Sequence, residues 1–101
     1  MKLRVGLALA SAVDTTNVIL TRVPEGDVEL TCGGVAMIPK GSEAPAAEAD
    51  PAQMNGTLIG KRYVDPADTI EVLCTKPGDG SLALDGVLLV TAEAKALPSS
   101  D

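Results

Sequence analysis

Leu82-Ala83-Leu84-Asp85-Gly86-Val87-Leu88-Leu89-Val90-Thr91 is the stretch on which the fold turns. Two short aliphatic runs flank Asp85-Gly86, and the central positions of a type I′ turn both need positive φ, which Asp-Gly supplies. The stretch therefore predicts a tight β-hairpin. Earlier in the chain, Leu30-Thr31-Cys32-Gly33-Gly34-Val35-Ala36-Met37-Ile38 has the same layout, with Gly33-Gly34 in place of Asp85-Gly86.

Working outward, more landmarks recur in the same order, about 51 to 53 residues apart. Val13-Asp14-Thr15-Thr16-Asn17 precedes Val18-Ile19-Leu20, and Val64-Asp65-Pro66-Ala67-Asp68 precedes Ile70-Glu71-Val72-Leu73. A turn with Pro24, Gly26 and Asp27 follows the first run, and one with Pro77, Gly78 and Asp79 follows the second. The β-branched runs over residues 17–23 and 69–75 fit strands, and the Pro/Gly/Asp clusters after them fit hairpin turns. The alternation Leu3, Val5, Leu7, Leu9 predicts a half-buried strand over residues 2–10, partnered at the head of the second copy by one over 60–64. The fold class expected is all-β: two diverged β-hairpin repeats packed as a small sandwich, a barrel-like closure or a ribbon pair.

The expected organisation is a first β repeat over 1–39, an acidic Ala/Pro-rich linker or loop over 40–55, a second repeat over 56–96 and a disordered tail over 97–101. Pro39, Pro45 and Pro51 break any long helix in the connection, leaving room for a helical turn or two over residues 46–49. Whether the repeats share one core is open at this level.

Composition narrows the function. Val, Leu and Ile supply 26 of the 101 residues, while Tyr63 is the only aromatic, so the core must be aliphatic. One ring offers little for stacking bases, and a net charge of −6 opposes phosphate binding, so nucleic acid is not expected as a partner. No stretch approaches the ~18 apolar residues of a membrane span. The chain has no histidine, and therefore lacks the commonest general acid/base and the commonest metal ligand. Cys32 and Cys74 cannot fill a four-ligand zinc site alone. They form one disulfide if the chain is exported, or two buried thiols in the cytoplasm. Lys2 and Arg4 before a short apolar run, then Ala10-Ser11-Ala12, imitate a secretion signal. The run is short for that purpose, and a cytoplasmic location is the expectation, with export the alternative.

The two halves together resemble the desulforedoxin-type ribbon, a small rubredoxin-like metal-binding fold. The family shows Tyr-x-Cys-x-x-Cys, a strand ending in Val-Leu, a Gly-rich turn, and Leu-x-Cys-Cys-Gly before an apolar strand. Tyr63-Val64-Asp65-Pro66-Ala67-Asp68 has the first spacing with aspartates at both cysteine positions. Glu71-Val72-Leu73, the turn Pro77-Gly78-Asp79-Gly80 and Leu82-Ala83-Leu84-Asp85-Gly86 follow. In the first half, Leu30-Thr31-Cys32-Gly33-Gly34 keeps one of the two adjacent cysteines. With the other ligand cysteines missing, the resemblance implies paired hairpins and not iron chemistry.

Candidate site residues carry two readings each. Asp65, Asp68 and Asp85 would converge in a ribbon geometry, and with Cys32 they form the candidate metal set; Asp14 and Asn17 are the counterparts in the first half. Carboxylates suit hard ions, but aspartate is also the ordinary turn and cap residue. Cys32 beside Gly33-Gly34 is a candidate exposed thiol or an apolar packing residue. Lys61, Arg62 and Tyr63 form the one dense basic spot, suited to an acidic partner or to protecting a strand edge. Lys76-Pro77-Gly78-Asp79-Gly80 lacks the spacing of a phosphate-binding loop and reads as a turn.

By subtraction, the function expected is a non-enzymatic accessory or protein-interaction module without a cofactor. It would present sheet edges or an aliphatic face, including Val35 and Leu88, to a partner protein or to a second copy as a homodimer. The alternative is a small metal-binding or redox protein holding one metal ion through Cys32 or the aspartates. A hydrolase or isomerase working with carboxylates alone is a third class.

Overall fold

The structure is a computed structural model and describes residues 3–43 and 47–92. The expected tail over 97–101, Lys2 at the head of the first expected strand and Ala46 in the foreseen helical turn lie outside the described residues. The chain is mostly β, with two antiparallel sheets. Among the described residues no helix is long and apolar enough to cross a membrane.

In the first half the strands are β1 (Ala8–Ala10), β2 (Asn17–Arg22), β3 (Leu30–Cys32), β4 (Val35–Ala36) and β5 (Ile38–Pro39). In the second they are β6 (Arg62–Val64), β7 (Glu71–Lys76), β8 (Leu82–Leu84), β9 (Val87–Leu88) and β10 (Val90–Thr91). The six-stranded sheet has the order β10-β6-β7-β2-β1-β5, and the four-stranded sheet β4-β3-β8-β9. Residues 35–39 pair first with β3 and then with β1, crossing from one sheet to the other at Met37. Residues 87–91 do the same at Leu89, pairing with β8 and then β6. With each crossing segment counted as one bent strand, the pairings close into a ring. Strands that switch sheets in this way form the corners of sandwiches and barrels.

Both halves contribute to every layer. β2 pairs with β7, setting Ile19 against Leu73 and Leu20 against Val72. β3 pairs with β8, setting Thr31 against Ala83. Alternation then points Val18, Leu20, Val72 and Cys74 inward, where they meet Leu30, Cys32, Leu82 and Leu84 from the other sheet in one hydrophobic cluster. Leu9, Met37, Ile70 and Leu89 complete it. Each large aliphatic buried this way contributes about 1.5–3 kcal/mol.

Backbone hydrogen bonds recur at matched places. Gly6 N donates to Leu20 O and Leu7 N to Arg4 O, while Gly60 N donates to Cys74 O and Lys61 N to Leu58 O. Leu20 N donates to Leu7 O, and Cys74 N to Lys61 O. At the corners, Met37 N donates to Leu30 O and Leu89 N to Leu82 O. These contacts explain why β1 and β6 are shorter than the alternation suggests. Gly6 and Gly60 adopt φ of +90° and +80°, so the chain turns there instead of extending. Val5 consequently faces solvent, while Leu3 and Leu9 stay in the core.

The tight hairpin turns follow expectation. Asp85 and Gly86 have φ of +49° and +88°, and Gly33 and Gly34 have +64° and +82°. The connection between the halves carries no helix over residues 47–50. A single 3₁₀ turn forms at Pro51–Gln53, with the Asp50 carboxylate capping Ala52 N at 3.0 Å. Asp50 N donates to Gly33 O at 2.7 Å and Ser81 N to Gln53 O at 2.7 Å, so residues 50–53 are fastened to both halves.

Candidate functional site

The densest polar chemistry lies where the loop between β1 and β2 meets the turn after β7. Ser11 Oγ accepts from Val13 N and Asp14 N, each at 3.1 Å, and curls the loop. Asp14 Oδ1 accepts from Thr16 N at 2.9 Å, an ordinary Asx turn. Its other oxygen, Oδ2, leaves the loop and accepts from Gly80 N in the second half. Thr16, fully buried, pairs its hydroxyl with that of Thr57 at 3.2 Å. Gly78 N donates to Thr57 Oγ1 at 3.0 Å. Asn55 N donates to Ser81 Oγ at 2.8 Å, and Gly33 N to Ser81 O at 3.0 Å.

The two cysteines flank this knot as free, buried thiols. Cys32 Sγ lies 3.8 Å from Asp14 Oδ1 as a weak donor, and Cys74 Sγ donates to Lys76 O at 3.3 Å. Burial pushes the Cys32 thiol up to about 11; hydrogen bonds from Thr16 and Ser11 oppose it, and the adjacent Asp14 charge adds a smaller upward push. Burial also raises Cys74. Both are thereby held as protonated thiols near neutral pH. Of the two readings of Cys32, the structure has the packing one rather than the exposed thiol: Cys32 ends β3 with its side chain inward.

Burial pushes the Asp14 carboxyl up, but hydrogen bonds from Thr16 N, Ser11, Gly80 N and the Thr16 hydroxyl outweigh it and hold the carboxyl below its ordinary value. Asp65 behaves likewise. Burial raises it, while the Thr69 hydroxyl at 2.5 Å, Ile70 N at 3.1 Å and Thr69 N at 2.6 Å bring it below the ordinary value. Both carboxylates stay ionised and fully engaged, the opposite of a poised general acid or base.

The other candidate residues have separate occupations. Asp68 pairs with Arg22 at 2.9 Å, and Asp85 Oδ1 accepts from Glu29 N at 2.8 Å. Among the described residues no group of three or more His, Cys, Asp and Glu is placed to hold a metal ion. Tyr63 is buried in the core and its hydroxyl accepts from Leu58 N at 2.9 Å, so it is not a surface contact. Arg62 is exposed and lies 3.5 Å from Glu71. Val35 is half-buried, whereas Leu88 is exposed.

One feature escaped the sequence, and another was foreseen only at Leu88. Gly80 is required by close approach: a Cβ there would lie 2.7 Å from Cys32 Sγ and 2.9 Å from both Asp14 Oδ2 and Gly33 N. The glycine spacing Gly78-Asp79-Gly80 was visible, but nothing local names the partner loop. Second, Val87, Leu88 and Val90 are 49%, 41% and 43% exposed along the crossing segment of the second half. The signal for that patch was present in the unbroken run Val87-Leu88-Leu89-Val90, too apolar for a strand with one solvent face. No family model, curated protein or solved structure matches the chain.

Proposed function

We propose that the chain is a non-enzymatic accessory protein, a protein-interaction module built from two diverged copies of one hairpin unit and working without a metal. The observation carrying this reading is the aliphatic arm Val87-Leu88-Val90, where three large aliphatics are exposed together on strands; Val5, Leu58 and Ile59 are exposed too, but in turns outside the strands. Contiguous apolar surface of this kind marks docking sites more often than chance exposure does. The repeat is supported by the recurring hydrogen bonds, where one displacement along the chain carries Gly6 to Gly60 and Leu20 to Cys74. It is also supported by strand orders in which β1 to β5 and β6 to β10 occupy mirrored places. On this reading the rubredoxin-like ribbon contributed a scaffold of paired hairpins. Asp14, Asp65, Asp68 and Asp85 now serve as turn and cross-link residues.

The mode of presentation is a face rather than a long free edge. The crossing segments leave only the two-residue strands β4 and β9 at the edges of the four-stranded sheet. Short edges of this sort limit indiscriminate pairing. The partner is another protein or a second copy of the chain.

Native mass spectrometry on untagged protein tests the reading. The expected result is an apo chain with two free thiols, in a complex that dissociates on Leu88→Asp while circular dichroism is unchanged. A metal-bearing mass that is lost on denaturation would overturn it.

A further inference from the structure

We propose that Asn55-Gly56 is a self-modification site: the backbone nitrogen of Gly56 displaces the side-chain amide of Asn55, and the isoaspartate that results loosens the joint between the two halves. The chain has two asparagines, and only this one precedes a glycine. Glycine puts no Cβ in the way of the attack. Asn55 is exposed, and among the described residues its side-chain amide has no hydrogen-bond partner. Gly56 N, the attacking atom, has none among them either, and Gly56 turns the chain with φ of +92°. Asn17, by contrast, is half-buried in β2 and is followed by β-branched, fully buried Val18. Two Asp-Gly peptides offer the same ring closure, but both are engaged. Gly80 N donates to Asp14 Oδ2, and Asp85 Oδ1 accepts from Glu29 N at 2.8 Å.

The reaction needs only water and involves no change of oxidation state. Gly56 N bonds to Asn55 Cγ and gives its proton to solvent, while the Cγ–Nδ2 bond breaks and the nitrogen leaves as ammonia, closing a succinimide ring. Water then opens the ring at one of its two carbonyls, giving aspartate or isoaspartate. Both products add one negative charge. Isoaspartate also routes the backbone through the former side chain and so lengthens it by one carbon.

That carbon falls between two fixed points. Before it, Asn55 N donates to Ser81 Oγ at 2.8 Å. After it, Thr57 N donates to Gly78 O at 3.0 Å, and Thr57 Oγ1 bonds Gly78 N and the Thr16 hydroxyl. Ser81 and Gly78 lie in the connection from β7 to β8, and buried Thr16 leads into β2 in the first half. A longer backbone cannot hold both anchors in their present geometry. Losing the second leaves buried hydroxyls without partners, which costs stability.

The test is to age the folded full chain at mildly alkaline pH and follow it by peptide mass mapping with an isoaspartate assay. The chain unfolded in urea serves as the positive control, and Asn55→Asp supplies the added charge on an ordinary backbone. The expected result is exchange of an amino for a hydroxyl group at residue 55 and not at residue 17, with isoaspartate the larger product. The isoaspartyl fraction, separated by chromatography, should unfold at a lower urea midpoint than Asn55→Asp. Asn55 left intact in the folded protein while the unfolded chain converts would overturn the site. An isoaspartyl fraction as stable as Asn55→Asp would overturn the loosening of the joint.

Discussion

The loop leading to β2 and the loop leading to β7 begin from similar residues and end in different work. In the first, Asp14 reaches out of its loop to Gly80, and Thr16 buries a hydroxyl against Thr57. In the second, Asp65 spends its oxygens on Thr69 and Ile70 within its own loop, and Ile70 is fully buried as an apolar side chain. The hairpin turns differ in the same sense. Gly33-Gly34 lies under the connection, where a Cβ on Gly34 would meet Asp50 Cβ at 2.7 Å, whereas Gly86 has nothing within 4 Å. The first half thus supplies the reaching side chains Asp14 and Thr16, and the second meets them with Gly80 N and the Thr57 hydroxyl while leaving its aliphatic arm exposed.

The largest difference in stability between the two hairpins is expected at the glycines. Gly80→Ala should destabilise by about 3 kcal/mol or more, because the methyl overlaps Cys32, Asp14 and the Gly33 backbone at once. Gly86→Ala meets no atoms and should cost only about 1–2 kcal/mol, from its left-handed backbone. Urea unfolding of the two variants checks the ratio, and equal losses would mean that the knot does not lock the halves.

Next in size is Asp14→Ala, expected to lose about 1–3 kcal/mol by leaving Gly80 N and Thr16 N without their acceptor. Asp14 and Asp65 both have folded pKa values below their unfolded ones, so their contribution is complete above the unfolded value of 3.8. It fades as pH falls through the lower folded values. Asp14→Asn and Asp65→Asn should therefore each flatten the loss of stability in acid below about pH 4. Thermal melts across that range measure the slope; an unchanged slope would contradict the assignment.

The two thiols should be chemically silent in the folded protein. With Cys32 raised to about 11 and both sulfurs buried, a thiol reagent at pH 8 should label neither cysteine until the protein is unfolded. Rapid labelling of Cys32 in the native state would restore a reactive role. The smallest effect on stability is expected at the arm. Leu88→Asp should change the free energy of unfolding by no more than about 1 kcal/mol, since its side chain is exposed and outside the core cluster, yet it should abolish partner binding.

What could be read in the sequence was local. The turns at Gly33-Gly34 and Asp85-Gly86 announce themselves because positive φ restricts the residues that fit. The runs that became β2 and β7 stand out by β-branched content, and both ended within two residues of expectation. Two things were not local. Closure of the ring depends on Met37 and Leu89 turning a strand from one sheet to the other, and neither residue type encodes a corner. The knot depends on Asp14 meeting Gly80 across the fold, a pairing that no spacing along the chain reveals. Tyr63 misled for a related reason: beside Lys61 and Arg62 it reads as surface, but strand alternation turns it inward while Arg62 faces solvent.

The most direct test of the central claim places the same photo-crosslinking amino acid at Leu88 and, separately, at Ala36, the matching position on β4 in the first half. Both are exposed and neither is in the core, so both variants should fold. The account predicts, in cells, a discrete cross-linked protein from position 88 and none from position 36. Cross-links from position 36 alone, or from neither position, would contradict the account.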